Sequence, residues 1–201
     1  MFVQVIEGVV ADEAAVHAAV ERWQRDVAPG ADGWIGGTYG VADDGTFVGV
    51  VRFATERQAR ANDARPEQRS RWREFEALFA GPVVIRGCSD VTLLLGGEPD
   101  HAGFVQVIEG RVHDPARLRS VVARSAPLLS RLRPDVLGAT LAIDAHGRFT
   151  ETVAFTTQAE ARAAESLQPP PEARRLIDAE LALMDDIRYL DLPRPWFASH
   201  R

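Results

Sequence analysis

The chain has 201 residues, of which 46% are apolar and 26% charged, and its formal net charge is −6. No apolar run approaches the ~20 residues that span a bilayer, and no basic region precedes a long apolar stretch at the N-terminus. The lone Cys88 excludes an internal disulfide framework, and the acidic balance argues against a nucleic-acid surface, so a cytoplasmic protein with neither membrane nor nucleic-acid partners is expected.

Residues 2–10 have the apolar content of a buried strand. Asp12 is placed to cap a helix whose apolar stripe is Ala14, Ala15, Val16, Ala19, Val20, Trp23 and Val27, and Pro29-Gly30 stops it. Residues 34–41 and 46–53 read as two strands joined by the turn Asp43-Asp44-Gly45. Thr55 opens a short helix. Pro66 opens a second, with Trp72, Phe75, Leu78 and Phe79 at helical spacing up to Gly81-Pro82. Residues 83–86 start a last strand, which 91–95 extend or follow. Gly36-Gly37 reads as a strand break and Gly96-Gly97 as a linker.

The second half repeats this order. Residues 2–8 and 104–110 are the same heptad, Phe-Val-Gln-Val-Ile-Glu-Gly, at a spacing of 102. Gly45 and Gly147, Phe47 and Phe149, and Phe53 and Phe155 keep that spacing, as do Ile85 and Ile187. Asp114-Pro115 opens the helix that answers the one after Asp12. The expected organisation is therefore two tandem ferredoxin-like βαββαβ domains, 1–97 and 98–201, the second carrying the C-terminal tail. Each would have one bare sheet face that a twin would cover. Trp196, among Pro193, Pro195 and Phe197, is expected to latch the tail into a groove.

Three features carry a resemblance to a known superfamily. They are the element order, the stretch from Phe53 to Asn62, and the run Ala61-Asn62-Asp63-Ala64-Arg65-Pro66-Glu67-Gln68 with Trp72 shortly after. The chain resembles the dimeric α+β barrel proteins, in particular the antibiotic-biosynthesis monooxygenase-like (ABM) branch and its tandem actinobacterial members. The resemblance implies an α+β fold in which the two copies form an intramolecular dimeric α+β barrel, a pseudo-dimer within one chain that can also meet a second chain as a homodimer. It implies a cofactor-independent oxygenase acting on polycyclic phenols or quinols. Haem-degrading members use an Asn on the first strand and a His on a helix. Here the first strand ends in Glu7 (Glu109 in the second half), and no histidine lies between Trp34 and Leu95.

Two clusters are candidates for chemistry. Gln4 and Glu7 stand on opposite faces of a regular strand by two-residue alternation. A cavity-lining Glu7 would serve as a base toward an acidic phenol; otherwise it ends in water or a salt bridge. Asn62, Arg65 and Trp72 flank the break between the two later helices, where Asn62 would bond a substrate oxygen, Arg65 hold an anion and Trp72 stack on a flat ring. The structural alternative gives Asn62 and Pro66 capping and turn duties, Arg65 to solvent and Trp72 to the core. Trp23, Trp34 and Tyr39 complete an aromatic set concentrated in the first half. The sequence contains no zinc spacing, phosphate-binding glycine loop or dinucleotide fingerprint, so neither metal nor cofactor is expected. Two functions follow: an enzyme on an aromatic, polyketide-like small molecule, with Glu7 and Asn62 catalytic, or a non-catalytic small-molecule-binding or stress-associated structural protein.

Overall fold

The computed structural model describes residues 1–97 and 99–199. Contacts divide the chain into two compact units, one comprising Met1–Ser89 with the tail from Pro195, the other Asp90–Arg194. In the first unit the elements are β1 (Phe2–Val9), α1 (Glu13–Asp26), a 3-10 turn (Ala28–Gly30), β2 (Trp34–Val41), β3 (Thr46–Phe53), α2 (Glu56–Asp63), α3 (Pro66–Glu76) and the start of β4 (Val84–Leu94). The second unit has β5 (Phe104–Val112), α4 (Pro115–Leu132), β6 (Val136–Asp144), β7 (Arg148–Phe155), α5 (Gln158–Glu165), α6 (Pro171–Leu181) and β8 (Met184–Leu192). The short β9 (Trp196–Ser199) belongs to the first unit.

The strand order of the first unit is β4-β1-β3-β2-β9, and that of the second is β8-β5-β7-β6 followed by the end of β4. Leaving β9 aside, both are the antiparallel order of the split βαβ arrangement. Register agrees between units: Phe2 faces Phe53 across β1 and β3, and Phe104 faces Phe155 across β5 and β7. The contact boundary precedes the sequence boundary expected at 97/98 because β4 is one strand and its last residues pack beside β6. The tail sits with the first unit because β9 pairs with β2, Thr38 against Phe197, while Trp196 stacks on His17 at 4.6 Å.

Local chemistry explains the element ends. Asp12, Thr55, Asp114 and Thr157 each accept a backbone N–H three residues on, capping α1, α2, α4 and α5. Gly45 and Gly147 take positive φ in the hairpin turns, where a side chain would be strained. Gly36-Gly37 is not a strand break: both residues pair in register with Arg52 and Val51, the register shift falls before them between Trp34 and Gly36, and β2 continues to Val41. The absence of a side chain at Gly36 lets β9 approach, since a Cβ there would lie 2.7 Å from the Ala198 carbonyl oxygen. Helix α3 ends at Glu76, short of Leu78 and Phe79, which pack from the turn beyond it. In the first unit Phe47 is fully buried, with Phe75 and Phe79 edge-on at 5.6 Å each. The second unit has its own core around Leu118, Val121, Leu141 and Phe149. Among the described residues no helix is long and apolar enough to cross a membrane.

Candidate functional site

Two-residue alternation decides which residues of β1 reach the helices. Gln4 and Ile6 do, with Val51 and Phe53 of β3 beside them, whereas Glu7 stands on the other face, where its carboxylate lies 3.8 Å from the Arg86 guanidinium. On the helix side the first unit contains a cavity of ≈ 530 Å³. Its sheet wall is Gln4, Ile6, Tyr39, Val51, Phe53 and Ile85, and α1 adds Ala19, Val20 and Trp23. Asn62 and Asp63, the last residues of α2, and the inner side of α3, with Trp72 and Phe75, close it.

The space exists because of the break between α2 and α3. Pro66 cannot continue α2, and it forces Arg65 before it into extended backbone. The chain restarts as α3, which has no fully buried residue and stands off the sheet. Aromatic rings fill only part of the gap. Trp72 lies 5.7 Å from Phe75, and Trp23 meets Trp34 edge-on at 5.2 Å. The Trp23 Nε1–H donates to Gln68 Oε1 at 2.6 Å, tying α1 to α3 and fixing the indole in the wall.

The polar groups gather where α2 ends. Arg65 donates through Nη1 to the Val27 carbonyl and to Asn62 Oδ1, both at 3.1 Å. A guanidinium only donates, so it fixes Asn62 with its oxygen toward Arg65. The Asn62 amide N–H groups are then left for the cavity, and among the described residues they make no hydrogen bond. Gln4 donates through Nε2 to Asp63 Oδ2 at 2.9 Å, leaving Gln4 Oε1 as an acceptor. Asp63 is exposed at its outer side, and partial burial raises its carboxyl from the ordinary aspartate value, opposed by the Gln4 hydrogen bond and the Arg60 charge. Tyr39 is 4% exposed, and burial pushes its phenol well above its usual range against the pull of Arg52. It is a neutral donor at physiological pH.

Five of the eight residues singled out in the sequence therefore line one cavity: Gln4, Trp23, Tyr39, Asn62 and Trp72. Glu7, Arg65 and Trp34 are not among its lining residues. Glu7 faces Arg86, Arg65 holds Asn62 from behind, and Trp34 is buried behind Trp23. Sequence reasoning missed Asp63, although a signal existed. Asn62 lies three residues after Ala59, and both are buried, while Asp63, four residues after Ala59, stands at the exposed edge of the same face. Gln68, one turn before Trp72, was overlooked in the same way. In the second half the corresponding heptad keeps the ion pair, Glu109 lying 3.3 Å from Arg188 as Glu7 lies by Arg86, but its glutamine has another partner: Gln106 donates to Asp191. Among the described residues no group of three or more His, Cys, Asp or Glu could hold a metal ion.

Neither a protein-family profile nor a curated protein sequence matches the chain. Solved structures do share its fold. A candidate monooxygenase from Lactobacillus acidophilus superposes with a TM-score of 0.75 at 12% identity, covering 98% of this chain and 95% of that one. An anthrone oxidase-like protein gives 0.65 at 12% identity, covering 99% and 91%. A major regulator of staphylococcal pathogenesis gives 0.54 at 11% identity, covering 96% and 98%. At such identities the likeness establishes an α+β, ferredoxin-like fold, which does not determine an activity.

Proposed function

We propose that the first unit is the small-molecule site of an ABM-like, cofactor-independent monooxygenase acting on a flat, electron-rich aromatic compound. The observation that carries this reading is the composition of the cavity. Its walls are aromatic and apolar, and its donors and acceptors converge at the end of α2, as expected of a pocket that orients a ring system by a few polar contacts. Trp72 and Trp23 would hold the ring plane. The free Asn62 N–H groups would face a substrate oxygen on which negative charge develops, and Asp63, its carboxyl raised by partial burial and steadied by Gln4, would accept the proton. Glu7, with its carboxylate at Arg86, is replaced in that role by Asp63.

The chemistry balances without an external reductant. A ring-activated CH2 group loses one proton to Asp63, and the resulting carbanion, delocalised into the phenol oxygen near Asn62, adds O2. The hydroperoxide then loses water to leave a carbonyl, so CH2 and O2 become C=O and H2O. All four electrons come from the CH2 carbon, and O2 accepts them as it becomes the carbonyl oxygen and water. The protein supplies orientation, a base and exclusion of bulk water. The two units, 1–97 and 98–201 in the sequence repeat, are read as copies of one domain, of which the first keeps the site.

The reading is tested by oxygen uptake with 1,8-dihydroxyanthrone and 1,4-dihydroxynaphthalene as probes. Turnover above the spontaneous oxidation, lost in Asn62→Ala and Trp72→Ala with folding intact, is the expected result. Binding without turnover would favour the non-catalytic binding protein, and the absence of both would overturn the site.

A further inference from the structure

The mouth of the cavity carries charge that the proposed chemistry does not use. Four arginines line it: Arg22 from α1, and Arg69, Arg71 and Arg73 from α3. Arg71 is engaged, its guanidinium bonding Glu74 at 2.8 Å and Asp26 at 3.1 Å. Among the described residues no acid forms an ion pair with Arg22, Arg69 or Arg73, and all three are exposed. Of the carboxylates that line the cavity, Glu74 is taken by Arg71 and Asp63 by Gln4, which leaves Glu76.

Arg69 and Arg73 are four residues apart on α3 and so project from one ridge, with Trp72 and Phe75 on the adjoining face toward the cavity. Their apolar stems can lie along a ring while their planar forks reach a group beyond it. The chain carries a net charge of −6, yet the cavity lining sets four arginines against the three carboxylates Asp63, Glu74 and Glu76, so the opening is locally positive against an acidic background. Two parallel N–H donors match a carboxylate, and such charge-assisted pairs are roughly twice as strong as neutral ones.

Building on the proposed small-molecule site, we propose that its ligand is an aromatic acid: a flat ring system inside the cavity and a carboxylate at the mouth, held by Arg69 and Arg73 with Arg22 opposite. The carboxylate anchors the non-reacting end and directs the ring's other edge toward Asn62 and Asp63. The arginines are binding residues remote from the reacting atoms.

The test is a calorimetric titration of the full chain with two probes of matched size, anthraquinone-2-carboxylate and anthraquinone-2-carboxamide. The carboxylate is expected to bind about tenfold to a hundredfold more tightly, the span typical of a hydrogen bond to a charged group. That margin is expected to shrink with added salt. The double substitution Arg69→Gln with Arg73→Gln removes the preference while the carboxamide affinity stays as it was, which also shows that the variant is folded. Equal binding of both probes to the native protein overturns the carboxylate anchor and leaves the cavity reading intact. Preference that persists in the double variant overturns the assignment to these arginines. Failure of both probes to bind overturns the small-molecule reading on which the inference rests.

Discussion

Glu151 offers a sharp test of the energetics of the second unit. It lies in β7, 9% exposed, opposite Ile108 of β5 and Leu141 of β6, and its carboxyl is pushed up to about 8, first by burial and then by the neighbouring Glu180. Burial raises Glu180 of α6 as well. In the unfolded chain a glutamate titrates near 4.3. Between that pH and about 8 the native state therefore keeps a proton that the unfolded state has released, and stability falls as pH rises. The contribution is most favourable below the unfolded value and reaches its floor above about 8. At ~1.4 kcal/mol per pH unit, a rise from 4.5 to about 8 corresponds to roughly 5 kcal/mol. Glu151→Gln keeps the size and removes the ionisation. Urea unfolding of both proteins at about pH 5 and about pH 9 should show the native protein losing several kcal/mol more than the variant between the two conditions. With Glu180→Gln carried in both proteins, the coupled neighbour is removed and the other titrating groups cancel in that difference. Equal losses in the two proteins would refute the reasoning.

Four further outcomes are expected. Asp63→Asn should flatten the acid limb of the activity profile: the working base is ionised only above its raised pKa, so native activity falls as pH drops through that value and the variant shows no such fall. Asn62→Ala should lower turnover about 10²-fold, as loss of one preorganised donor does, with little change in the far-ultraviolet circular dichroism. Gly37→Ala places a Cβ 2.2 Å from Tyr39 Oη, so it should displace that ring and cost about 1–3 kcal/mol in chemical denaturation. Thr55→Ala removes the cap that accepts Gln58 N–H at 3.2 Å and should cost about 1 kcal/mol by the same measurement.

Much of the fold could be read from the chain because local signals agreed with one another. Asp12, Thr55 and Asp114 cap the helices they precede, and the Phe53 and Phe155 registers follow the sequence repeat. The errors occurred where tertiary contacts override local pattern. Gly36-Gly37 looks like an interruption until β9 is seen to need the space that Gly36 leaves. Leu78 and Phe79 continue the helical spacing of Trp72 and Phe75, yet α3 ends before them because the chain turns toward β4. In the site, aromatic residues were easier to find than charged ones. Trp23, Tyr39 and Trp72 are conspicuous by type, whereas Asp63 is one acid among many. Its distinction lies in facing the cavity beside Gln4, fifty-nine positions away in the chain. Glu7 and Arg65 have the chemistry of site residues, but strand alternation sets Glu7 against Arg86 on the other face of β1, and Arg65 donates to Asn62 without lining the cavity.

The same comparison explains why one strand order can carry a cavity site in the first unit without implying the same site in the second. The second unit repeats β-strand order and register, but at the spacing of the repeat it has Ser125 for Trp23, Leu141 for Tyr39 and Ala164 for Asn62. Counted from the proline that opens each helix, Ile177 stands where Trp72 does. Leu141 is fully buried in its core, and Asp191, not the residue after Ala164, accepts from Gln106. The corner between the helices also differs, since Pro169, Pro170 and Pro171 replace the short Ala64-Arg65-Pro66 turn from which Arg65 reaches back to Asn62. In place of an arginine holding an amide, Arg162 of α5 donates to Asp191, which accepts from Gln106. The fold supplies a sheet and two helices in both units, and the α2–α3 corner shapes the cavity of the first.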